Sequence, residues 1–221
     1  MGKLFSLCGA AMCLAASPVS PVLAQSLSPF DAVINTMVGT TEVDARPVMT
    51  NGKLTGCTLT FDAVARDDIY RKGKPIKVSG SFGILTANDK AAVTLKVVVN
   101  EMSQGQNYSI VFTPFAPKRA YLVGSDYSHN YGALVNSAPS DADGGLFSIF
   151  NLEPSMKIMT DAIGQQKIIV AFNQGDGGTD IQLPIDLTVV STDFTNGNRN
   201  HGIKTLQDYA ACITALSSDT Q

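Results

Sequence analysis

Tryptophan is absent from these 221 residues, histidine occurs only twice, and charged residues make up just 16%. Each scarcity excludes something. Without tryptophan, stacking on sugar rings loses its strongest side chain and falls to six tyrosines. His129 and His201 stand alone among loop-forming residues, so no H-x-x-x-H or H-E-x-x-H metal pair exists. Sixteen Lys and Arg against nineteen Asp and Glu leave a net charge of −3. Such a chain has no basic field for a phosphate backbone, and no nucleic-acid partner is expected. Neither G-x-x-x-x-G-K nor a helix-opening G-x-G-x-x-G occurs, so no nucleotide cradle and no cofactor is expected.

Catalytic signatures are missing too. The nearest approach to G-x-S-x-G is Ser79-Gly80-Ser81-Phe82-Gly83, which lacks the first glycine and lies inside a strand pattern. Its glycines mark a bulge or tight sheet packing. Asp176-Gly177-Gly178-Thr179-Asp180 is no aspartic-protease loop and reads as a hairpin connection. Asp141 and Asp143 lack the remaining ligands of a calcium loop, so a solvated turn is expected and no metal.

What is present begins with an export signal. Lys3 supplies a short basic region, an apolar run covers residues 4–16, and Val22-Leu23-Ala24 precedes a cut before Gln25. Gly2 and Ser6 fit an acylation pattern, and Cys8 and Cys13 raise lipid attachment; the apolar run and missing small-residue lead-in favour cleavage. No later stretch reaches 18 apolar residues, so no integral membrane segment is expected after cleavage. Residues 1–24 are thus read as signal peptide and 25–221 as a single β-rich domain. The place is periplasmic or extracellular.

Cleavage leaves two cysteines, Cys57 and Cys212. An oxidising compartment favours their pairing. The bridge closes about 155 residues and stabilises by ~5 kcal/mol in the chain-entropy model. No C-x-x-C and no nearby histidine support a redox or nucleophilic role.

With 44% hydrophobic residues the chain has material for a sizeable core. Ser28, Pro29 and Asp31 open a helix whose apolar stripe is Phe30, Val33, Ile34 and Met37, ended by Gly39. The period then switches to two over residues 53–64, 76–85 and 91–99, with turns at Gly52, Gly73-Lys74-Pro75 and Asn88-Asp89. Pro114 and Pro117 break or bulge the pattern of 108–123. Residues 124–145 are the least regular. A short strand at 146–151, a helix at 155–163, strands at 168–172 and 179–190, and a closing helix over 204–216 follow. Pro184 places its strand at an edge or a bulge. Seven to ten strands are expected. The fold class is mainly β: an antiparallel β-sandwich or partly open barrel with a short N-terminal helix and a C-terminal helix packed on it.

One segment suggests binding. Phe115, Arg119, Tyr127, His129 and Tyr131 cluster beside Lys118 and Tyr121, combining broad aromatic faces with a guanidinium fork. The plainer reading makes Tyr121 core and the others surface decoration. Asn107-Tyr108-Ser109 is a glycosylation sequon relevant only in a eukaryotic secretory pathway. The expected function is an exported, non-catalytic β-domain that binds a protein or cell-envelope component through these loops. The alternatives are a hydrolase using His129 or His201 beside Asp126 or Asp193, and a carrier of a small apolar ligand.

Overall fold

The computed structural model describes residues 28–88, 90–175 and 177–218. The expected signal peptide lies outside them, as do Asp89 and Asp176. Helix α1 (Pro29–Met37) starts as its sequence demands. The Ser28 hydroxyl accepts the Asp31 N–H at 3.0 Å and donates to the Asp31 carboxylate at 2.7 Å. Together with Arg66, whose guanidinium pairs with it, the serine holds that carboxyl below its usual range.

Four long strands form a meander: β1 (Gly39–Thr50), β2 (Lys53–Asp67), β3 (Lys74–Ala87) and β4 (Lys90–Gln104). Asn51 and Gly52, both at positive φ, make the two-residue hairpin turn between β1 and β2. The sheet continues through β8 (Gly145–Asn151) to β7 (Leu134–Pro139), and β5 (Ile110–Pro114) extends the same side of β4. A second antiparallel sheet runs β10 (Ile181–Asp186), β9 (Lys167–Asn173), β6 (Arg119–Val123). A ribbon of β11 (Val189–Thr192) and β12 (Arg199–His201) lies beside β1. The fold is mainly β, antiparallel and consistent with a sandwich or open barrel. Helices α2 (Leu152–Gln165) and α3 (Lys204–Ser218) pack on it.

Alternation explains the core. Cys57, Leu59, Phe61 and Ala63 of β2 turn the same way as Phe82 and Ile84 of β3 and Val93, Leu95, Val97 and Val99 of β4. All join one buried cluster with Leu122, Val170, Phe172, Leu183 and Ile185 of the second sheet. On the opposite face α1 seats Ile34 against Val64 and Met102, a small separate core. Val33 of the expected stripe is instead 48% exposed. Gly80 and Gly83 sit in unbroken register, so no bulge occurs. A Cβ on Gly83 would lie 2.0 Å from the Cys57 carbonyl, and one on Gly80 would strike the Phe61 ring.

The expected strand at 179–190 is two strands, because Asp186 stops the first. Its carboxylate accepts the Thr188 N–H at 2.9 Å and the Thr188 hydroxyl at 2.6 Å, a local turn that outcompetes the ladder. Pro184 does lie on an edge strand, opposite Ile169. The irregular stretch 124–145 contains β7, whose six residues are all exposed and so carry no alternating pattern. The strand 39–50 escaped a separate expectation because its second half is largely exposed and holds Pro47. Twelve strands form among the described residues where seven to ten were expected.

The disulfide is as expected. Cys57 and Cys212 are bonded, with Cα atoms 5.9 Å apart, and fasten α3 to β2.

Candidate functional site

Strand β6 ends at Val123, and the chain folds back along the free edge of that strand. Asn130 makes this possible. Its main-chain N–H donates to the Leu122 carbonyl at 3.2 Å, and its side-chain oxygen accepts the Leu122 N–H at 2.8 Å. The amide nitrogen donates to the Ser155 hydroxyl of α2 at 3.1 Å. Asn130 is fully buried, so a side chain stands in for a neighbouring strand. Val123 and His129 add a bridge pair, and Gly124 N–H donates to Ser128 O. The loop 124–131 is therefore held at both ends.

Tyr121, on β6, is buried at the margin of the core, where its ring meets this loop. Its hydroxyl donates to Asp180 Oδ2 at 2.7 Å. Asp180 also receives Arg119, Nε to Oδ1 at 2.9 Å and Nη2 to Oδ2 at 3.0 Å, a two-pronged pair. Burial, reinforced by donation to a carboxylate, pushes the Tyr121 hydroxyl up to about 12. The Asp180 carboxylate holds the Arg119 guanidinium above its usual range. Two exposed rings rest on this base. His129 meets Tyr121 edge-on at 5.7 Å between centroids, and Tyr131 meets it at 5.4 Å. The Arg119 guanidinium lies 5.3 Å from the Tyr131 ring centre.

No protein family, curated protein or solved structure matches this chain.

Of the five loop residues singled out from sequence, the structure gathers three, Arg119, His129 and Tyr131, around Tyr121. Phe115 belongs elsewhere: its half-buried ring lies 3.7 Å beneath the Arg71 guanidinium. Arg71 and Lys74 both pair with Glu101 at 2.6 Å. Hydrogen bonding from Lys74, then Arg71, keeps that carboxyl below its usual range. Tyr127, at φ +61° and 76% exposed, stands apart over a shallow cleft shared with Lys167 and Gln165. Asn130 and Asp180 were missed. An Asn-Tyr pair after an irregular loop gives no sign that the amide will imitate a strand, and Asp180 is 61 residues from Arg119.

The histidines and carboxylates of the hydrolase reading are placed as follows. Asp126 accepts the Ser128 N–H at 2.9 Å and pairs with Lys157 at 3.6 Å. Asp193 caps its own turn through Thr195 N–H and Asn196 Nδ2. His201 neighbours Asp186, with the Thr188 hydroxyl between them, 2.8 Å from Nδ1. That hydroxyl donates its proton to Asp186 and so accepts from the imidazole, opposite to the direction an activated nucleophile requires. Among the described residues no group of three His, Cys, Asp or Glu side chains is arranged to hold a metal. No helix there is long and apolar enough to cross a membrane.

Proposed function

We propose that this chain is an exported, non-catalytic binding protein that docks a protein or cell-envelope component on the His129–Tyr121–Tyr131–Arg119 platform. One observation carries the reading: exposed aromatic rings rest on a clamp in which the Tyr121 hydroxyl and the Arg119 Nε and Nη2 already hold hydrogen bonds. Tyr121 and the Nε and Nη2 of Arg119 are engaged with Asp180 and Gly178, which leaves ring faces and edges and the outer guanidinium nitrogen, not proton transfer, as what the site offers a partner. Tyrosine and arginine in a pre-positioned array lose little conformational entropy on binding, the composition of interface hot spots. The Cys57–Cys212 bond supports export, since such bonds persist where thiols are not kept reduced. The segment of residues 1–24 supports it independently.

The test is site-specific photo-crosslinking in the native compartment, with the photoreactive side chain at position 131, at 129, or at exposed Lys53 as a control. A defined adduct at 131 and 129, absent at 53, is expected. Equal labelling at all three, or none, defeats the reading. His129→Ala and His201→Ala separate it from the hydrolase alternative. A His-dependent hydrolase loses most turnover with one of them, whereas a docking platform keeps its adduct at 131 in His201→Ala.

A further inference from the structure

An apolar pocket of about 260 Å³ opens between three elements. The end of the β3–β4 hairpin supplies Ile84 and Ala91, the start of α2 supplies Leu152 and Met156, and the last turns of α3 supply Ile213 and Leu216. Among the described residues its walls carry no aromatic ring, no side-chain amide and no carboxylate. They therefore favour a flexible saturated chain over a planar ring or a hydrogen-bonding headgroup. Among the described residues a single charged side chain, Lys90, stands at the rim, and it makes no ion pair with any of them. Thr86 and Ser217 are the other polar side chains there.

The α3 wall is held in place covalently. Cys212, bonded to Cys57 of β2, directly precedes Ile213. Met156 faces it from α2, and an unbranched thioether adapts its shape to a guest.

We infer that this pocket binds a small amphiphile with one linear alkyl chain and one anionic headgroup, a medium-chain fatty carboxylate. The alkyl chain fills the Ile84–Met156–Ile213–Leu216 wall, and the carboxylate meets the Lys90 ammonium at the rim. At roughly 30 Å³ per water-sized group, the volume takes about eight methylene-sized units. That is one chain of octanoate length, too little for a two-chain lipid. This site is separate from the aromatic platform and stands or falls without it.

The probe is sodium octanoate, titrated into the disulfide-bonded protein while the Met156 methyl resonance is followed by NMR. A saturable shift is expected, with affinity rising about fourfold per methylene from hexanoate to octanoate. Octyltrimethylammonium binds at least tenfold more weakly than octanoate. Lys90→Glu weakens octanoate about tenfold and leaves 1-octanol unchanged. Ala91→Phe fills the pocket and removes both, with the thermal midpoint and the bonded cysteines confirming the fold. Lys90→Glu, a change at an exposed position, keeps the test decisive if Ala91→Phe does not fold.

Absence of a saturable Met156 shift overturns the site. Equal affinity for carboxylate, alcohol and ammonium overturns the headgroup assignment. Association with phosphatidylglycerol vesicles without octanoate binding overturns it in favour of a membrane surface. Binding seen only after residues 219–221 are removed overturns it in favour of a pocket that the chain's own end fills.

Discussion

The Arg119 guanidinium meets the Asp180 carboxylate through two parallel hydrogen bonds of 2.9 and 3.0 Å, joining the start of β6 to the connection that leads into β10. Tyr121 donates to the same carboxylate, and the Tyr131 ring lies against Tyr121 and beside the guanidinium. One carboxylate thereby fixes two side chains on β6 and, through them, a ring on the following loop.

Arg119→Ala leaves Asp180, only 16% exposed, with a tyrosine as its one remaining side-chain partner among the described residues. A loss of about 1–2 kcal/mol is expected, less than for a fully buried pair because the guanidinium is partly solvated. Arg119→Lys recovers only part of this, since an ammonium cannot reproduce the two-pronged geometry. Urea unfolding of the two variants side by side checks the order.

Asn130→Ala removes both side-chain hydrogen bonds that tie loop 124–131 to β6 and to α2. The Leu122 N–H is then buried without a partner, at a cost of about 2 kcal/mol. Amide hydrogen exchange at Leu122, and along residues 124–131, is expected to accelerate by tenfold or more. Asn130→Asp retains the Leu122 bond and loses the donor to Ser155, so its exchange falls between the two. Unchanged protection in the alanine variant contradicts the strand-substitute role.

Alkaline pH acts through two tyrosines. Burial and the bond to Asp180 hold Tyr121 protonated to about 12, against about 10 in the unfolded chain. Burial alone raises Tyr209, whose hydroxyl has no partner among the described residues. A folded state that keeps its protons longer is stabilised below the unfolded value and loses that stability as pH rises from 10 through the folded values. For Tyr121 the change is about 2 kcal/mol. Denaturation midpoints between pH 9 and 12 should fall steeply in the parent and less steeply in Tyr121→Phe. Tyr209→Phe, which removes an unsatisfied buried hydroxyl, is expected to raise stability by up to about 1 kcal/mol at neutral pH.

Cutting the Cys57–Cys212 bond frees α3 from β2 across a separation of 155 residues. Cys57→Ser with Cys212→Ser should lower stability by about 4–5 kcal/mol, the denatured-state entropy that the bridge removes. The loss should appear as a lower midpoint with α3 exchanging first, since Leu206, Tyr209 and Leu216 are its remaining anchors in the core. Equal stability with and without reductant contradicts a structural role for the bond.

Much of this architecture was legible in the residues because it rests on short-range rules. Ser28, Pro29 and Asp31 specify a helix start through local hydrogen bonding. The alternation of Cys57, Leu59 and Phe61 specifies a strand with one wet face, because a pleated chain turns successive side chains to opposite sides. The cysteine pair followed from the expectation that residues 1–24 are removed, which leaves only two cysteines to pair. Strands with no alternation were hidden: β7 is exposed on both faces, so burial imposes no period on it. The end of β10 was hidden as well, since Asp186 stops it with its own side chain while the apolar pattern runs on to Val189.

The platform was half legible. Arg119, His129 and Tyr131 announced themselves by composition, but Phe115 and Tyr127 carry the same chemistry and end up elsewhere. Sequence by itself determined the strand-rich core, the helix start and the covalent link between β2 and α3, because each depends on neighbours along the chain or on simple counting. Only the tertiary structure decided that Asp180, Asn130 and Tyr121 become the support of one loop, and that Ile84, Met156 and Ile213 line one pocket. Those choices depend on which distant strands become neighbours, and side-chain period carries no information about a partner tens of residues away.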